Sequence, residues 1–322
     1  MSRSLRWTLP LLAALLLTFF IGPREPVDTQ LQPAALPADL DAHLAAEEAR
    51  FPDIVPGAEK TIVWAHPDHR RTALAVVYLH GFSATRQETA PLSDDLARQL
   101  GANLFYTRLS GHGRSEAAMA EATAGAWLRD AREALAIGRR LGERVLLVGT
   151  STGATLATWL AGEPGSEALL AGVLISPNFA PHDPTSTVLT WPWARQFVPL
   201  ILGADYQWTP RNAEQARYWS HRYPSTALLP MMALVRHVEA RPLEQLRLPL
   251  LVIYSPNDQV VDPRRTEQAF ARFGSPHKQL IARPESQDPA HHVLAGRILA
   301  PDDTPAIEAQ IRAFLATLPA QG

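Results

Sequence analysis

The chain has 322 residues, a net charge of −2 and a hydrophobic content of 46%. That is enough for one large α/β domain with insertions or for two smaller domains. The near-neutral balance excludes a basic field for nucleic acid, and the complete lack of cysteine excludes disulfides, thiolate metal sites, a cysteine nucleophile and a lipidated N-terminal cysteine.

Residues 1–22 read as an export segment. Arg3 and Arg6 form a positive start, and residues 9–21 are an apolar run broken only by Pro10 and Thr18. The run is shorter than the about 20 residues of a membrane span, but Trp7 and Thr8 extend it and no A-x-A cleavage site follows. A cleaved signal peptide and a retained N-terminal membrane anchor both remain open, the anchor being preferred. Either implies the exported, periplasmic or cell-envelope side, with membrane association through this segment. Residues 23–51 are a linker and a short helix. Prolines 23, 26, 33 and 37 leave the linker without periodicity, and residues 39–50 form a polar helix that Asp39 can cap, packing on the outside of the domain.

The main domain takes residues 52–322. An edge strand at 60–65 precedes a buried strand at 74–79 (LAVVYL), which runs straight into His80-Gly81-Phe82-Ser83. A helix at 91–100 stops at Gly101, and a strand at 103–107 leads into a turn around Gly111-His112-Gly113. A long helix at 123–141 ends at Gly142. Further strands are predicted at 145–148, 172–176, 250–254 and 278–282, and a helix at 303–318 closes the chain. This alternation calls for a mostly parallel sheet with helices on both faces. One segment interrupts it. Residues 178–241 carry half of the eight tryptophans, and read as a helical cap over the strand C-termini, where open α/β sheets bind ligands. Most of its aromatics are expected to glue the cap to the body; Trp191, Trp193 and Trp208 are the candidates for lining a substrate pocket.

The chemistry centres on residues 144–160. An apolar strand runs directly into Gly149-Thr150-Ser151-Thr152-Gly153 and then into a helix, the context that makes G-x-S-x-G a nucleophile elbow. Ser151 is the candidate nucleophile. The Thr152 amide, at the start of the helix, is one candidate oxyanion donor, and the Phe82 amide after Gly81 is the second. In this architecture the acid and the base follow the serine in chain order. Asp258 sits in the loop after the 250–254 strand and is preferred as the acid over Asp262, which precedes Pro263 as a natural helix N-cap. For the base, His291 and His292 both stand after the last strand. His292 is preferred because His291 follows Pro289-Ala290, in the part of the loop expected to be exposed. His80 is read as a structural residue of its loop. Gly111-His112-Gly113 lacks the spacing of a phosphate loop, and no metal-ligand spacing is present.

Leu79-His80-Gly81-Phe82-Ser83, Gly111-His112-Gly113-Arg114-Ser115, the elbow, Asn257-Asp258-Gln259-Val260-Val261 and His292-Val293-Leu294 fall in the order of the α/β-hydrolase superfamily. Over roughly residues 52–318 the chain resembles its capped carboxylesterase and monoacylglycerol-lipase branch, although the cap segment matches no family pattern. The resemblance implies an α/β-hydrolase fold and a serine hydrolase acting without a cofactor on small-molecule or lipid esters. Its single-residue H-G-F loop implies small to medium acyl groups. A thioesterase or amidase on the same triad is the alternative within enzymes. A non-catalytic envelope scaffold of the same fold is the alternative outside them, and its signature, a missing triad member, is not found.

Overall fold

The computed structural model of the protein describes residues 5–30, 32 and 35–319. Arg3 and Pro33 lie outside them, as does the side chain of Arg6. Helix α1 (Leu5–Phe20) opens the described chain, and among the described residues no helix is long and apolar enough to cross a membrane. Helix α2 (Leu40–Glu48) is capped by the Asp39 side chain, as its sequence suggests. It does more than decorate the surface. The buried Glu48 carboxylate receives two bonds from the buried Arg108 guanidinium, at 2.7 and 2.8 Å, and so braces the loop after β3 (Asn103–Tyr106).

The central sheet has seven strands in the order β1-β3-β2-β4-β5-β8-β9. Here β1 is Thr61–Val63, β2 Thr72–Leu79, β4 Gly142–Thr150, β5 Leu169–Ile175, β8 Leu250–Tyr254 and β9 Lys278–Ala282. All neighbours are parallel except β1, which pairs antiparallel with β3 at the edge, so the fold class is the predicted one. Residues 75–79 of β2 are fully buried, because successive side chains enter opposite layers. Ala75, Val77 and Leu79 join the layer of α4 (Ala124–Leu141) and α5 (Thr152–Leu160), whereas Val76 and Tyr78 face α3 (Leu92–Leu100) and α10 (Thr304–Ala316). Helix α4 passes into β4 at Gly142 with no intervening loop.

Between β5 and β8 the chain forms α6 (Ala194–Leu202), a small antiparallel ribbon of β6 (Asp205–Gln207) and β7 (Arg222–Pro224), α7 (Ala213–Tyr218) inside that ribbon, and α8 (Leu228–Glu239). Helix α8 packs on α5 and α4 and also on the segment Pro184–Thr190, so it joins the body to the part that roofs the strand ends. After β8 come α9 (Pro263–Arg272), β9 and α10. The roof is tied to the N-terminal segment. Trp193 N–H donates to the Pro23 carbonyl at 2.8 Å, and the Arg195 guanidinium holds Glu25 at 2.7 Å.

Candidate active site

Ser151 stands between β4 and α5 with φ +53° and ψ −118°, a backbone conformation that costs a non-glycine residue roughly 1–3 kcal/mol. Its neighbours impose it. A Cβ on Gly153 would lie 1.9 Å from the Leu79 carbonyl oxygen, and one on Gly149 would lie 2.5 Å from the Gly153 carbonyl oxygen. Only glycine at both positions lets helix, strand and turn close this tightly. The Ser151 amide donates to the Ile175 carbonyl at 2.9 Å, and its own carbonyl accepts from Ala154, Thr155 and Asn178.

The candidate base and the candidate acid meet across the strand ends. His292 Nδ1 lies 2.8 Å from Asp258 Oδ2, and both side chains are buried. Asp258 Oδ1 accepts the Val260 and Val261 amides at 2.8 and 2.9 Å, which holds the carboxylate in place. Asp262 caps α9 through the Arg264 amide, the helix-capping role read from Pro263. His291 has φ +54° and is not among the residues lining the cavity that Ser151 and His292 share. Burial pushes His292 down, but the Asp258 carboxylate, followed by Asp288 and Glu88, outweighs it and holds the ring above its ordinary value. The ring is thereby a stronger base than a free imidazole.

Two backbone amides are candidates for holding a developing negative charge. Among the described residues neither the Phe82 nor the Thr152 N–H has a hydrogen-bond partner, and Thr152 is the first residue of α5. Gly81 is required beside them, since a Cβ there would sit 3.2 Å from Ser151 Cβ and 2.9 Å from Glu88 Oε2. His80 is structural in its hydrogen bonding. Its Nε2 accepts the Leu109 amide at 3.0 Å while Nδ1 reaches the Gly81 carbonyl, and burial holds the ring well below its usual value, hence neutral. His112 bonds the Ser110 carbonyl and is likewise buried, its pKa lowered to about 4.

The cavity holds about 850 Å³, within the range of small-molecule sites. Val188, Leu189, Val198, Trp208, Tyr223 and Met231 give it apolar walls, and Arg211 and Gln259 add polar groups. Of the three candidate tryptophans, only Trp208 lines it. Trp191 and Trp193 correct the sequence reading. Trp191 sets its ring edge-on to Phe19 at 6.2 Å, and Trp193 Nε1 donates to the Thr18 carbonyl at 3.3 Å, so both serve the N-terminal helix. Two acidic groups escaped the sequence reading. Asp288 accepts the Ala290, His292 and Val293 amides and shapes the histidine loop; its position just before Pro289 in that loop was the available signal. Glu88 is buried in the cavity floor, and no periodicity or motif marks it. A second cavity, of about 520 Å³, lies at the opposite ends of β4, β5 and β8 and contains none of the motif residues. Among the described residues no cluster of three or more His, Asp or Glu is arranged to hold a metal ion.

Comparison with known proteins converges on the same architecture. Residues 70–287 match the family described as serine aminopeptidase, S33. A thermostable monoacylglycerol lipase from Bacillus sp. (strain H-257) is 23% identical over 210 residues, covering 65% of this chain and 80% of that protein. A solved structure of the metagenome-derived lipolytic enzymes LipS and LipT has a TM-score of 0.65 at 24% identity, covering 82% of this chain and 99% of the other. A soluble variant of monoglyceride lipase from Saccharomyces cerevisiae has a TM-score of 0.64 at 13% identity, covering 93% and 100%. The chain is a hydrolase of lipase/esterase type, and it belongs to the serine aminopeptidase S33 family of α/β hydrolases, on the monoacylglycerol-lipase-like branch that its motifs resemble.

Proposed function

We propose that this protein hydrolyses carboxylic esters of small to medium acyl groups, or monoacylglycerol-like lipids, through Ser151, His292 and Asp258. The observation that carries the reading is the buried 2.8 Å His292–Asp258 pair, opening on the same apolar cavity as the strained Ser151. Ser151 Oγ attacks the ester carbonyl as its proton passes to His292 Nε2. Asp258 keeps Nδ1 protonated and offsets the imidazolium charge. The oxyanion accepts hydrogen bonds from the Phe82 and Thr152 amides. Collapse breaks the ester C–O bond, His292 protonates the leaving alcohol, and water repeats the sequence on the acyl-enzyme. No cofactor enters this cycle. Similarity to two monoacylglycerol lipases supports a lipid ester, as do the apolar walls.

A fluorophosphonate probe tests the nucleophile, with the labelled peptide mapped to Ser151. A panel of p-nitrophenyl esters, monoacylglycerols, thioesters and aminoacyl arylamides tests the bond. Faster turnover of thioesters or arylamides than of every oxygen ester would transfer the assignment to those substrates, and absence of labelling in folded protein would leave a scaffold.

The same reading places the protein at a lipid surface on the exported side. Leu12, Leu16 and Phe20 are exposed at helical spacing on α1, and Leu200, Ile201 and Leu202 are exposed on the neighbouring α6. Ile201 and Leu202 also line the cavity, so a bilayer covering this face would meet the pocket mouth. Full-length protein is expected to float with phosphatidylcholine–phosphatidylglycerol vesicles and Leu200→Asp/Ile201→Asp protein to float far less; equal flotation of both would remove the cap from the contact.

A further inference from the structure

Glu88 is a carboxyl that the three-residue mechanism does not use, yet it is 2% exposed and lines the cavity beside Ser151 and His292. Its Oε1 accepts the Gly81 amide at 2.6 Å and the Tyr78 hydroxyl at 2.8 Å. The same hydroxyl lies 3.2 Å from Thr150 Oγ1. Gly81 is the residue before Phe82, and Thr150 is the residue before Ser151. One carboxyl group is thus bonded to the backbone that aims one oxyanion donor and, through one phenol, to the residue that precedes the nucleophile. Burying an acid of this kind is costly, because desolvating a carboxylate outweighs two hydrogen bonds.

We propose that Glu88 is a positioning residue of the acyl-transfer site: it clamps the turn that aims the Phe82 amide, and its charge strengthens His292 as a base. The proposal rests on the assignment of Ser151, His292 and Phe82 made above. The titratable groups facing Glu88 are Tyr78 from β2 and His292 from the loop before α10, with Asp258 and Asp288 beside the imidazole. Burial pushes Glu88 up, against the pull of the Gly81 amide, the Tyr78 hydroxyl and His292, to about 7. Below that pH the carboxyl is neutral; above it the negative charge favours the imidazolium. Removing the charge therefore lets His292 lose its proton at lower pH.

The test is a pH profile of kcat and kcat/KM on p-nitrophenyl butyrate with full-length protein. Glu88→Ala is expected to lower kcat about 10–100-fold with KM within about threefold, since loss of one well-aimed donor costs on the order of 10²–10³. Glu88→Gln keeps an oxygen for Gly81 and Tyr78. It is expected to return kcat to within about fivefold of wild type while moving the acid limb of kcat/KM to lower pH, a shift that a purely structural role would not produce. An alanine variant within twofold of wild type in kcat overturns the clamp, and a glutamine variant with an unmoved acid limb overturns the electrostatic part. If Glu88→Ala does not fold, the Glu88→Gln profile and Tyr78→Phe, expected to lose about two- to fivefold in kcat alone, carry the test. Ser151→Ala separates the two levels. Activity surviving there sinks the assignment itself, whereas an inactive Ser151→Ala beside indifferent Glu88 variants sinks only the clamp.

Discussion

The cavity has a floor and a roof that are built differently. The floor is made of strand ends and the turns that follow them. Ser151, Asp258 and His292 are all buried, and backbone atoms there approach so closely that two glycines are obligatory. The roof is made of a short helix, a two-stranded ribbon and their connections. Leu200 is 85% exposed and all three residues of β6 are exposed. A floor packed backbone against backbone has one arrangement and holds reacting groups to a fraction of an ångström, which is what proton transfer and oxyanion binding need. The exposed residues of the roof can change without disturbing that geometry. Under the proposed mechanism, chemistry belongs to the floor and selectivity to the roof.

The largest effect that could break this division is at the floor. Ser151→Ala and His292→Ala are each expected to lower kcat by on the order of 10⁴–10⁶ with the fold retained, as measured by steady-state kinetics and thermal unfolding. A folded variant keeping a tenth of the wild-type rate would end the floor assignment. Next, Gly153→Ala forces its Cβ against the Leu79 carbonyl, and is expected to cost more than about 4 kcal/mol in denaturant unfolding, whereas Leu200→Ala on the roof stays within about 0.5 kcal/mol. Comparable costs at the two sites would erase the contrast in packing.

Within the roof the contrast can be sharpened. Trp208→Ala is expected to change the ratio of kcat/KM between short and long acyl esters by about 1–3 kcal/mol, while Trp191→Ala and Trp193→Ala leave that ratio unchanged and loosen the N-terminal helix instead. A shift in chain-length preference from Trp191 or Trp193 alone would mean that the pocket extends beyond the cavity described. For pH, the base must be neutral, and its carboxylate neighbours raise it. Activity is therefore expected to rise with pH through a value above the ordinary 6.5 of histidine, and a midpoint below 6 in kcat/KM would contradict the arrangement. The smallest effect is at His291→Ala, expected to cost tenfold or less through loop placement alone; a loss as deep as that of His292→Ala would give the two rings equal standing.

What the sequence by itself determined was the floor. The alternation of apolar strands and helices and the elbow between β4 and α5 are encoded within a few residues of each feature, and the order serine, acid, histidine is what nominates the candidate triad. Gly149 and Gly153 announce a backbone contact because no other residue fits it. Asp262 announces a helix cap because Pro263 follows. Asp258 and His292 could be placed because strand ends are where such side chains converge in an open parallel sheet. Tertiary structure alone decided the roof and the second layer of polar groups. Whether Trp191 or Trp208 faces the cavity depends on where α1 and β7 lie, and neither position is written near those tryptophans. Helix α8 reads like cap and packs on both cap and body, because its apolar residues satisfy the segment Pro184–Thr190 on one side and α5 on the other. Glu88 resembles any polar residue of a surface turn; its bonds to Gly81 and Tyr78 are near in sequence, but the cavity that places it with Ser151 and His292 exists only in the folded chain. Local sterics are fixed by residue type, whereas the direction and partners of a lone side chain are fixed by elements far along the chain.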